Sequence, residues 1–102
     1  MDANKTATEI AEGSALFGAL ADPIRLDIFH RLSAGGKCVC NLQTAPPIPD
    51  NLLSYHLRIL RDAGLVVSER RGRRVFYQLA PGILDRLHNC LPMSAPTTDQ
   101  SA

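Results

Sequence analysis

The chain has 102 residues, 45% of them hydrophobic and 21% charged, with a formal net charge of +1. That length gives one domain, which buries only about 60–70% of its unfolded surface, so a second copy that adds core is a reasonable default. Three cysteines, a polar start and no long apolar run exclude a disulfide framework and a membrane span, and point to reduced thiols in the cytoplasm.

The small net charge hides an uneven distribution. Residues 1–36 carry three cationic and five acidic side chains, a net of −2, whereas residues 51–79 carry six arginines against Asp62 and Glu69, a net of +4. Basic charge collected in one stretch is where a nucleic-acid partner would need it. Two tyrosines, three phenylalanines and no tryptophan argue against a single-strand binder that stacks bases. There is no Ser-His-Asp order, phosphate loop or paired-carboxylate setting, so an enzyme is not expected.

In chain order, residues 1–7 are polar and expected to be loose, residues 8–91 form the folded domain, and residues 92–102 read as a disordered tail of Pro, Ser, Thr and Ala. From Thr8 a helix is predicted with Ile10, Leu16, Phe17 and Leu20 on one side, and the small residues beside them permit close approach of a neighbour. Asp22-Pro23 is a strong helix start, and Ile24, Ile28 and Leu32 set the apolar face of the helix that follows, which Gly35-Gly36 ends. Cys38 to Ala45 gives a short helix candidate with Val39 and Leu42 inward, stopped by Pro46-Pro47-Ile48-Pro49. Asp50 or Asn51 then caps a helix in which Leu53, Leu57 and Leu60 recur at helical spacing up to Gly64. The period changes to two, and two apolar runs flank a basic tip centred on Arg70-Arg71-Gly72-Arg73, which predicts a hairpin. Pro81 opens a last helix with Ile83, Leu84, Leu87 and Leu91 apolar.

The predicted fold is therefore mostly α with a small β-hairpin: a winged helix-turn-helix that pairs into a homodimer. A polar-faced helix followed by an arginine-tipped hairpin suits double-stranded DNA, with the helix in a groove and the tip beside phosphates. Asn51, Ser54, Tyr55 and Arg58 are the candidates for base contact, and Arg70, Arg71, Arg73 and Arg74 for phosphates or the minor groove. His56 is expected to face inward and orient its neighbours. Cys38 and Cys40 are two thiols two residues apart; on an ideal helix they diverge, while in an extended or turning segment they face one way. A helix start and Lys37 beside them would favour thiolate, which binds soft ions. A thiol-based metal buffer would use the same pair without needing the arginine hairpin.

Three segments together resemble the ArsR/SmtB family of bacterial winged-helix repressors: Ala19-Leu20-Ala21-Asp22-Pro23-Ile24-Arg25-Leu26, Cys38-Val39-Cys40-Asn41-Leu42, and the run from Ser54 to Val66. The resemblance spans roughly residues 10–90. It implies a homodimer joined through its first and last helices, a recognition helix in the major groove, and release from operator DNA by an inducer. Cys-Val-Cys is similar to the site of arsenite-responsive members, which implies arsenic(III) or antimony(III) as inducer and no constitutive cofactor. Those members often carry a third cysteine where this chain has Gln43. An arsenic bound by three sulfurs would then draw on Cys90 or an external thiol, whereas an organoarsenical would need only two. A repressor sensing cadmium, lead or thiol oxidation is the alternative.

Overall fold

No glycine or proline interrupts the sequence before Gly13, and helix α1 runs Ala3–Leu20 in the computed structural model, which describes residues 3–92. The helix starts at Ala3, five residues before the start at Thr8 that the sequence predicts. The loose ends expected at residues 1–2 and beyond Pro92 lie outside the described residues. Leu16 and Ala19 carry the inward contact of α1, while Ile10 points out with 66% of its surface exposed.

Helix α2 (Pro23–Ser33) begins as the sequence predicts. The Asp22 carboxylate accepts from the amides of Ile24 and Arg25, both at 3.0 Å, and Pro23 takes the first position, where no N–H is needed. Ile28, Phe29 and Leu32 are buried on its inner face.

The expected helix from Cys38 to Ala45 does not form. Lys37–Cys38 is a two-residue strand, β1, and a single 3-10 turn follows at Val39–Asn41. Strand pairing wins here: β1 lies antiparallel to a later strand, with Lys37 opposite Tyr77 and Cys38 opposite Phe76, and the prolines leave too few residues for a helix beyond it. Leu42 is buried and Val39 half-buried, so both still point inward.

Helix α3 (Asp50–Asp62) buries Leu53, His56, Leu57 and Leu60. Its cap residue is Pro49, with no side-chain cap bond, so neither Asp50 nor Asn51 caps it. Asp50 instead places its acid in the first turn, where the helix dipole favours it. The C-terminal end is a Schellman closure: Gly64 has φ 85°, its N–H reaches the carbonyl of Arg61, and Leu65 N–H reaches that of Leu60.

Strands β2 (Val66–Arg71) and β3 (Arg74–Leu79) form the wing, joined by Gly72-Arg73. Gly72 leads this two-residue loop at φ 64°, as a type II′ hairpin requires. The sheet has three strands in the order β1-β3-β2, one more than a bare hairpin. Helix α4 (Ile83–Asn89) starts after Gly82 at φ 73°, two residues later than Pro81. Ile83 and Leu87 face the core, whereas Leu84 and Leu91 are exposed. Helices α1 and α4 pack closely: a Cβ at Gly13 would come within 3.0 Å of the Cys90 Cβ, and Arg86 pairs with Glu12. Among the described residues, no helix is long and apolar enough to cross a membrane.

Candidate nucleic-acid interface and thiol cleft

Helical periodicity divides α3 into two faces. Leu53, Leu57 and Leu60 bury one, which leaves Asn51, Ser54, Tyr55, Arg58 and Arg61 exposed on the other. The four residues predicted for base contact therefore share a solvent-facing stripe. His56 is 6% exposed and turned inward. Its Nδ1 lies 3.2 Å from the Arg25 guanidinium and 3.9 Å from Asp22 Oδ2, and Arg25 Nε donates to the Ala19 carbonyl. The hydrogen bond from the Arg25 amide holds the Asp22 carboxyl below its ordinary value, and the charge of Arg25 adds to this against the cost of burial.

Pairing across the wing puts Arg71 opposite Arg74 at the tip, with Arg70 opposite Val75. All four wing arginines are exposed. Arg71 is already engaged: its guanidinium sits 4.5 Å over the Phe76 ring and donates to Glu69 at 3.1 Å. Among the described residues, Arg58, Arg70, Arg73 and Arg74 form no ion pair.

Cys38 and Cys40 come together because β1 ends where the 3-10 turn begins. Cys38 is extended, at φ −66° and ψ 142°, and its sulfur accepts from the Cys40 amide at 3.4 Å. The thiols differ in exposure: Cys38 is 3% exposed, Cys40 open to solvent. A hydrogen bond from the Cys40 thiol pulls Cys38 below its ordinary value, with help from backbone amides and Arg74 against the cost of burial. The same bond pushes Cys40 up, as do its desolvation and the charge on Cys38. The cation beside the pair is thus Arg74 of the wing and not Lys37, while the amides that open the 3-10 turn favour the Cys38 thiolate as the sequence predicts.

A cleft of about 390 Å³ joins these parts. Cys38 and Cys40 line it with Ser54 and Leu57 from α3 and Arg73, Arg74 and Tyr77 from the wing. Cys90 is not among its walls; it caps the C-terminal end of α4 against Gly13. Among the described residues no three His, Cys, Asp or Glu side chains are grouped to hold a metal ion, so the fold does not bring Cys90 to the Cys38–Cys40 pair. Sequence reading passed over Arg25 and the wing's part in the thiol site. The first had a signal in its place three residues after Asp22; the second depends on strand pairing that no local pattern encodes.

A helix-turn-helix domain family matches residues 20–69. The chain is 46% identical over 65 residues to the HTH-type transcriptional repressor SmtB of Mycobacterium tuberculosis, across 64% of this chain and 48% of that protein. It is 35% identical over 89 residues to the arsenical resistance operon repressor of Staphylococcus xylosus, across 87% of this chain and 85% of that one. The matched part thus spans about half the length of the mycobacterial repressor and most of the staphylococcal one. Its fold is similar to the homodimeric winged helix-turn-helix DNA-binding domain of a possible ArsR-family regulator from Mycobacterium bovis, with a TM-score of 0.72 and 29% identity over 87% of this chain and 82% of that one. With the exposed stripe of α3 and the wing in place, and with these relatives, the chain belongs to the ArsR/SmtB family of winged-helix transcriptional regulators, a family of DNA-binding proteins and not of enzymes.

Proposed function

We propose that the protein is a cytoplasmic repressor that binds operator DNA as a homodimer and lets go when trivalent arsenic or antimony bonds to Cys38 and Cys40. Asn51, Ser54, Tyr55 and Arg58 enter the major groove, where Asn and Arg can bind adenine and guanine edges in bidentate fashion. Arg70, Arg73 and Arg74 meet phosphates, with Arg71 held partly against its own wing. Helices α1 and α4, with the exposed Ile10 and Leu84 on them and Leu91 just beyond α4, supply the dimer contact, in keeping with the homodimeric relative.

The observation that carries this reading is the shared cleft: the two thiols and the DNA-facing Ser54, Arg73 and Arg74 line one space. Each hydroxyl of arsenite that a thiol replaces leaves as water, with one As–S bond formed and no change of oxidation state. Two such bonds draw Cys40 toward Cys38 and reshape the wall against which α3 and the wing rest. An external thiol, and not Cys90, completes a three-sulfur arsenic. An inducer acts only through its preference for the arrangement that does not fit DNA, typically about 1–3 kcal/mol.

The test is fluorescence anisotropy of a labelled duplex from upstream of the gene, with reduced protein, before and after arsenite. Binding reversed by arsenite but not by zinc is expected. Replacing Cys38 and Cys40 together by Ser should leave binding within about twofold and abolish release. If that variant still lets go with arsenite, the thiol pair is not the sensor. The hydrogen-bonded thiols favour one second reading, a thiol-oxidation or cadmium/lead sensor, and reversal by peroxide or cadmium with arsenite inert would select it.

A further inference from the structure

One buried polar side chain has no part in the proposed DNA and thiol contacts. His56 stands on α3 between Tyr55 and Leu57, and its ring faces away from the DNA-binding stripe with 7% of the side chain exposed. We propose that Asp22, Arg25 and His56 form a polar bracket that seats the recognition helix, with His56 neutral in the arrangement that fits DNA. This rests on the repressor reading above.

The donor and acceptor chemistry fixes the protonation state. A guanidinium has hydrogens to give and no lone pair to receive them, so His56 Nδ1, 3.2 Å from Arg25 Nη1, must accept. The ring is then neutral, with its proton on Nε2. Arg25 passes the contact on, because its Nε donates to the Ala19 carbonyl near the end of α1. Asp22 closes the bracket: its Oδ2 caps α2 through Ile24 and Arg25 and lies 3.9 Å from the same Nδ1. Three helices therefore meet at one ring.

The leucines of α3 cannot do this job alone. Apolar burial is non-directional, so Leu53, Leu57 and Leu60 hold α3 down without fixing its rotation to the last few degrees. A directional bond from His56 does fix it. Rotation of α3 about its axis would carry Ser54, Tyr55 and Arg58 along the groove together. Among the described residues the charged groups facing His56 are Arg25 and Asp22, both from the start of α2. Helix α1 contributes the Ala19 carbonyl through Arg25, and α3 itself the Tyr55 ring, steeply inclined to the imidazole with ring centroids 5.2 Å apart.

Anisotropy of the labelled duplex at about pH 8 reads the bracket through two variants. His56→Asn places an amide oxygen where Nδ1 accepts and should bind within about twofold of the wild type. His56→Leu fills a similar volume without an acceptor and should bind about tenfold more weakly, within the ordinary range of coupling between sites. Unchanged binding by His56→Leu, or an equal loss in both variants, overturns the proposal. Imidazole 15N NMR of the free wild-type protein decides it independently of DNA and of how those variants fold: the Nε2–H tautomer at pH 8 supports the bracket and Nδ1–H overturns it. Absence of duplex binding at pH 8 would sink the repressor reading and leave that NMR result to judge the bracket.

Discussion

The two walls of the thiol cleft are built on different principles. On one side stands α3, held by Leu53, Leu57 and Leu60 in the core and closed by the Gly64 turn. The facing wall, residues 37–49, has two residues of strand, one 3-10 turn and a loop pinned at few points. Cys38 Sγ receives the Cys40 amide, Thr44 Oγ1 donates to the Pro46 carbonyl at 2.8 Å, and the Ala45 amide donates to Asp27 Oδ2 at 3.1 Å. A buried leucine contributes about 1.5–3 kcal/mol, whereas a single hydrogen bond nets about 0.5–1.5 kcal/mol. Leu42 is the one leucine that this wall buries in the core, against three from α3, so the wall that carries the cysteines can rearrange at less cost than the wall that carries the proposed DNA-facing stripe. A ligand on Cys38 and Cys40 has a soft element to move and a rigid one to push against.

Two substitutions would break or confirm that contrast. Leu60→Ala opens a cavity at a fully buried position in the rigid wall and should cost about 2–5 kcal/mol in urea unfolding. Asp27→Ala releases the Ala45 amide and the ion pair with Arg31, 2.8 Å long and half-exposed, and should cost only about 1 kcal/mol. Equal losses would mean that residues 37–49 are as firmly built as α3, and the sensor would then need another moving part.

What could be read from the sequence follows the same division. The leucine spacing in α3, the Asp22-Pro23 start and the arginine-tipped hairpin are local signals, and each element formed where its signal lay. Cys38 to Ala45 gave a helical pattern that was overruled, because β1 takes its geometry from Phe76 and Tyr77, nearly forty residues along the chain. Arg74 beside the thiols has the same origin, and no spacing rule could have placed it there. Cys90 has a tertiary origin too: within the chain, packing sets it against Gly13 and outside the cleft that holds Cys38 and Cys40. Contacts set by tertiary pairing decided the chemistry of the site, and local pattern decided the elements that frame it.

The wing forms the third side of the cleft, and its arginines sharpen the comparison with the smallest expected effect on the fold. Arg73 is exposed and without an ion pair among the described residues, so Arg73→Ala should leave stability within about 0.5 kcal/mol. Its loss should be felt in the salt dependence of duplex binding, where one phosphate contact fewer flattens the plot of log affinity against log salt by about 0.9. Arg71→Ala removes the same formal charge from a side chain that already lies on Phe76 and pairs with Glu69. Its slope should change by less than half as much, since a guanidinium tied to its own wing releases fewer counterions when it meets a phosphate. Slopes measured between about 50 and 200 mM salt for the two variants decide the matter. Equal changes would show that Arg71 leaves Phe76 on binding DNA, and that the wing, like the cysteine wall, rearranges while α3 stays put.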